Sequence, residues 1–137
     1  MSVGTLQRSY VIFDLSSISP GATISAASLT LCRANGSGSA RTHELRAATS
    51  TWTETGLTWN TQPALAASVT HTIAVPSSAG CLTSSVKEDV QAWILGAANF
   101  GWRIADQDEP TAPLVDYATR ENGVTAQRPT LSVTYTP

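Results

Sequence analysis

Short runs in which apolar and polar residues alternate recur along the chain between turn-forming clusters, the pattern expected when successive strand side chains point to opposite faces of a sheet. Residues 9–15 (SYVIFDL) place Val11, Phe13 and Leu15 on one face and Tyr10, Ile12 and Asp14 on the other. After a turn at Pro20 and Gly21, residues 25–33 resume with Ala27, Leu29 and Leu31 in register and Cys32 on the opposite face. Residues 34–40 (ANGSGSA) tolerate positive φ and read as a hairpin connection. Residues 42–47 then alternate His43 and Leu45 with Glu44 and Arg46. A fourth strand over 71–75 precedes a turn from Pro76 to Gly80, and residues 100–105, 114–119 and 131–136 complete the set.

Two stretches break this rhythm. Residues 50–65 (STWTETGLTWNTQPAL) carry Trp52 and Trp59 among Thr, Gly and Pro and read as an ordered loop anchored by aromatics. In the other, Ser85 and Glu88 fit an S-x-x-E capping box, Val86, Val90, Trp93 and Ile94 recur at i, i+4, i+7 and i+8, and Gly96 stands where a helix would stop. The spacing predicts one short α-helix from Ser85 to Leu95, about three turns long. Some seven strands, one helix and turns every ~8–12 residues predict an all-β fold. A jelly-roll-like antiparallel β-sandwich is expected rather than an immunoglobulin one, since no core-strand Trp stands between Cys32 and Cys81.

At 137 residues the chain is one domain, able to bury about two-thirds of its unfolded surface. With 42% hydrophobic and 13% charged residues and a net charge of −2, it is neither a disordered acidic segment nor a basic nucleic-acid binder. No stretch approaches the ~20 apolar residues of a membrane span, and no charged-then-apolar leader opens the chain, so a soluble mature form is expected. Seven Arg against the single Lys87, with much Ser, Thr and Ala, suit an exported β-protein. Cys32 and Cys81 are an even pair with no His or Cys at metal-ligand spacing: either a disulfide or two separate buried thiols.

Several blocks together resemble the DNRLRE domain family, a disaggregatase-related group that includes carbohydrate-binding modules. They are residues 8–31 (RSYVIFDLSSISPGATISAASLTL), 50–63 (STWTETGLTWNTQP), 86–104 (VKEDVQAWILGAANFGWRI), and the YATREN and RPTLSVTY runs, in family order over nearly the whole chain. The resemblance implies a jelly-roll sandwich that is extracellular or on the cell surface and belongs to a larger protein. It also implies a non-catalytic module with a polysaccharide partner, acidic in some relatives. Members of the family usually open about twenty residues earlier, a strand and loop's worth; here only Val3 and Gly4 match the tail of that segment. A sandwich lacking its opening strand would expose backbone groups that a neighbouring copy could pair. The alternative function is therefore a structural or adhesive subunit that assembles by strand complementation.

Candidate chemistry is modest. Arg120 and Glu121 end a strand ahead of Asn122 and Gly123: either they meet a ligand, with the guanidinium gripping a uronate, or they form a structural ion pair. Trp93 and Trp102 fit core positions, whereas Trp52 and Trp59 either stack on sugar rings or anchor their loop. Asp106, Asp108 and Glu109 form an acidic cluster, the only candidate for a Ca²⁺ site, although a solvated acidic turn explains it as well. His43 and His71 have no partner at a recognisable spacing and neither H-E-x-x-H nor G-x-S-x-G occurs. No catalytic residues are assigned and the domain is read as not an enzyme; paired carboxylates would come together in space rather than sequence.

Overall fold

A computed structural model describes residues 1–4, 7–36 and 38–137. Among these residues nine strands form two antiparallel sheets: β1 (Ser2–Val3), β2 (Ser9–Val11), β3 (Thr23–Gly36), β4 (Arg41–Ala47), β5 (His71–Val75), β6 (Gly80–Ser85), β7 (Trp102–Asp106), β8 (Val115–Tyr117) and β9 (Thr130–Thr136). The helix α1 (Lys87–Ile94) lies between β6 and β7. One sheet runs β1-β8-β3-β6 and the other β2-β7-β4-β5. The pairs β1 with β8, β2 with β7, β3 with β6 and β4 with β5 are those of one long antiparallel ribbon folded onto itself. That nesting defines a jelly roll. β9 is the addition: it lies along the first half of β3, from Thr23 to Thr30, while β8 takes the end of β3 from Arg33 to Gly36, across a bulge at Ala34.

The alternating residues do bury as their pattern requires. Leu29 and Leu31 of β3 face Leu45, Ile73 and Ile104 of the opposite sheet, all essentially without exposed surface, with Trp102, Val115 and Tyr117 filling the space between. Helix α1 closes one end of this core through Val90 and Ile94. Gly101 precedes β7 at φ +72, and a Cβ there would stand 2.1 Å from the Val11 carbonyl oxygen. Only glycine lets β2 approach so closely.

Three local features differ from the sequence reading. The first strand stops at Val11, yet Phe13 and Leu15 keep their inward side and pack against the core, with Asn99 Nδ2 donating to the Phe13 carbonyl at 2.8 Å. Ser85 caps no helix: it is the last residue of β6, opposite Ser28, and Val86 is the N-cap without a side-chain hydrogen bond. β6 was hidden because Leu82 is its single buried apolar residue, leaving no alternation to read. At the other end of α1, Gly96 has φ +120 and donates to the Trp93 carbonyl, as its place in the sequence predicts. Cys32 and Cys81, directly opposite on β3 and β6, are joined by a disulfide.

Candidate functional site: a cleft and an aromatic shelf

Strand alternation turns Tyr10 of β2, Arg103 of β7 and Arg46 of β4 to the outer face of the second sheet, because Val11, Trp102, Ile104 and Leu45 turn inward. The Trp-containing loop folds against this face. Backbone bonds from Thr49 to Ala64, Ala66 to Ala47 and Thr70 to Leu45 hold its two legs. Its tip is a 3-10 turn, Trp59–Thr61, where Thr58 and Thr61 cap each other. Trp52 donates its Nε1–H to the Phe100 carbonyl at 2.6 Å, and its ring lies 5.6 Å from that of Tyr10. The loop is thus ordered and anchored by an aromatic.

A cleft of about 420 Å³ opens beside this anchor, lined by Tyr10, Ile12, Trp52, Glu54, Thr119 and Arg120 among others. Arg120 forks onto Glu54 through Nε and Nη2 at 2.9 and 2.8 Å, and its Nη1 meets Glu121 at 2.8 Å. These hydrogen bonds hold the Glu54 carboxyl below and the Arg120 guanidinium above their ordinary pKa values. The Arg120 side chain remains 69% exposed, and a pair in that setting contributes little to stability. A smaller depression of about 160 Å³ follows, lined by Arg8, Tyr10, Trp59 and Gln62. There Trp59 is 49% exposed, with the Arg8 guanidinium 4.5 Å from its ring centre. Gln62 Oε1 accepts from both Arg8 Nη1 and the Tyr10 hydroxyl at 2.8 Å.

Arg120, Trp52 and Trp59, far apart in sequence, therefore border two depressions that share Tyr10; Glu121 joins through Arg120. Sequence reasoning missed Glu54, Tyr10 and Arg8. Glu54 carried a faint signal, two residues after Trp52 in the threonine-rich loop. The acidic cluster is dispersed. Asp106 is bonded to Arg41 Nε and Nη2 at 2.9 Å, Asp108 lies 3.5 Å from the same guanidinium, and Glu109 holds Arg8. Among the described residues no three His, Cys, Asp or Glu side chains gather as metal ligands would. Trp102 is fully buried and packs in a tilted arrangement with its ring centre 4.7 Å from that of the partly buried Trp93, so both are core residues, as their positions on strand and helix predict.

Inside the sandwich a polar group bridges the sheets. His43 has no exposed surface; its Nδ1 lies 2.5 Å from the Tyr117 hydroxyl and its Nε2 3.3 Å from Asp106 Oδ2, too poorly aligned for a hydrogen bond. Burial, opposed by Asp106, pushes the imidazole down to about 4. Burial likewise raises the Tyr117 hydroxyl, so it stays protonated and donates to the neutral ring. For Asp106, burial acts upward but the Arg41 and Asp108 hydrogen bonds prevail, and its pKa is lowered. All three residues sit in structural bonds away from the surface depressions.

The sandwich thus presents an open, aromatic-edged cleft with a guanidinium at its rim. Residues 2–135 match carbohydrate-binding module family 96, and the chain belongs to that family, whose members are non-catalytic binding modules. No curated protein matches the chain.

Proposed function

We propose that this domain is a non-catalytic extracellular module that binds an acidic polysaccharide along the line from Arg120 to Trp59. What carries the reading is the cleft that sets the Trp52 and Tyr10 rings beside an exposed guanidinium in a carbohydrate-binding family. An aromatic ring offers a flat apolar face to a sugar, and a guanidinium grips a carboxylate through two parallel hydrogen bonds. Glu54 is then a stand-in: a uronate can take its place on Arg120 at small cost, because exposed, solvent-screened ion pairs contribute little. The Cys32–Cys81 disulfide and the DNRLRE resemblance support a secreted or surface location. Affinity electrophoresis against charged and neutral glycans tests the proposal. Retardation by uronate polymers that disappears in Arg120→Ala, with an unchanged melting temperature, supports it; no retardation by any glycan removes it.

A second reading, a surface or filament subunit that assembles through strand pairing, is favoured by β9. Among the described residues β9 pairs with β3 alone, and its sequence TLSVTYT has no charge or proline to guard the other edge. Leu131 and Val133 are only partly buried beside a groove of about 280 Å³ lined by Phe13, Leu15 and Ile18. Concentration-dependent growth in light scattering that Ser132→Lys abolishes supports assembly through this edge; a monomer at high concentration rules it out.

A further inference from the structure

The outer face of the second sheet holds more positive charge than its partners account for. Register places Tyr10 opposite Arg103 and Arg103 opposite Arg46, so the three side chains form one row across β2, β7 and β4. Directly opposed side chains stand about 5 Å apart at Cβ, and like charges there repel. Arg103 is only 8% exposed, and neither its guanidinium nor that of Arg46 makes a hydrogen bond or ion pair with a described residue. Both Nε atoms are enclosed and unpartnered. Arg8 adds a third positive charge, and the nearby Glu109 is already engaged by it at 2.9 and 3.0 Å. Burial, then the charges of Arg8 and Arg46, pull the Arg103 pKa down, and Tyr10 and Glu109 offset this only in part. Buried charges persist in proteins when they are paired.

We infer that the Arg46–Arg103 row is the seat of a small oxyanion, a carboxylate or sulfate group held between two guanidinium forks beside Tyr10. Planar five-donor guanidiniums match such groups in bidentate fashion, and two of them opposed across a strand pair supply both the charge and the donors. The inference does not depend on glycan binding in the cleft. The anion comes either free from solution or as the acidic substituent of a sugar chain crossing Tyr10.

Titration of the whole domain with sodium sulfate, at ionic strength held constant with chloride, tests the site through the arginine Nε–H resonances. Saturable shifts at Arg46 and Arg103 are expected. Arg46→Gln should weaken the response at Arg103 about tenfold or more, the effect of losing charge-assisted hydrogen bonds. Arg46→Lys, which keeps the charge but loses the fork, gives an intermediate loss and serves if the glutamine variant does not fold. Uronate or sulfated oligosaccharides that shift the same resonances, where the neutral backbone sugar does not, identify the glycan as source; a response to sulfate alone identifies the free ion. No saturable shift at either Nε–H with sulfate and charged sugars, or an unchanged response in the Arg46 variants, overturns the site. Glycan retardation without these shifts removes the anion site alone, and shifts without retardation remove only the glycan reading.

Discussion

Acidification should destabilise this domain through one residue, His43. The imidazole is enclosed between the sheets and its pKa falls from the ordinary 6.5 to about 4. Above pH 6.5 the ring is neutral in both folded and unfolded chains, and the full stability is present. Between about pH 6.5 and 4 the unfolded chain takes up a proton that the folded one refuses, so stability declines by about 1.4 kcal/mol per pH unit. Over the whole window the loss is on the order of 3 kcal/mol, a large part of a domain's usual 5–15 kcal/mol. His43→Gln can still accept from the Tyr117 hydroxyl but does not titrate. Urea unfolding of both proteins across the window should show the wild type losing about 3 kcal/mol more than the variant. Asp106, held below its ordinary pKa, adds its loss only at still lower pH, where the unfolded chain takes up a proton that the folded carboxylate still refuses. A wild-type-minus-variant difference that stays flat through the window would refute the depressed pKa and the structural role assigned to the network.

Other outcomes follow from single contacts. Replacing both Cys32 and Cys81 by Ser opens a loop spanning 49 positions of sequence separation and should cost about 4 kcal/mol by the chain-entropy relation, read as a melting temperature roughly 12 °C lower. Gly101→Ala sets a methyl 2.1 Å from the Val11 carbonyl oxygen at φ +72, and a destabilisation of at least about 3 kcal/mol is expected in denaturant titration. Glu54→Gln frees the Arg120 fork and should tighten acidic-glycan retardation by a few-fold at most, roughly the worth of one exposed ion pair; weaker retardation would make Glu54 a ligand contact instead.

How much of this was legible in the chain depended on how strongly each residue's own neighbours dictated its environment. The alternation in β3, β4, β5 and β7 and the apolar spacing of α1 identified core positions, because burial on one face forces period two in a strand and near 3.6 in a helix. β6 escaped because an edge strand with one buried side chain needs no such pattern, and its Ser85 imitated a helix cap. The candidate site was legible only in pieces. Arg120, Trp52 and Trp59 could be named, but the partners that give them geometry come from elsewhere: Glu54 lies 66 positions from Arg120, and Gln62 lies 54 from Arg8. The acidic cluster misled for the same reason, since its carboxylates are taken by Arg41 and Arg8, distant in sequence.

The sequence by itself determined the sandwich class, the inward faces of most strands, the helix stop at Gly96 and a carbohydrate-binding resemblance, all properties of short runs or of ordered motifs. The tertiary structure alone decided which strands pair, that Cys32 and Cys81 are bonded, and that Arg46 and Arg103 stand opposed beside Tyr10. Register explains the division. A two-residue slip between β4 and β7 would keep every inward side chain inward while changing every cross-strand neighbour, so only the assembled sheets specify which charges and rings meet.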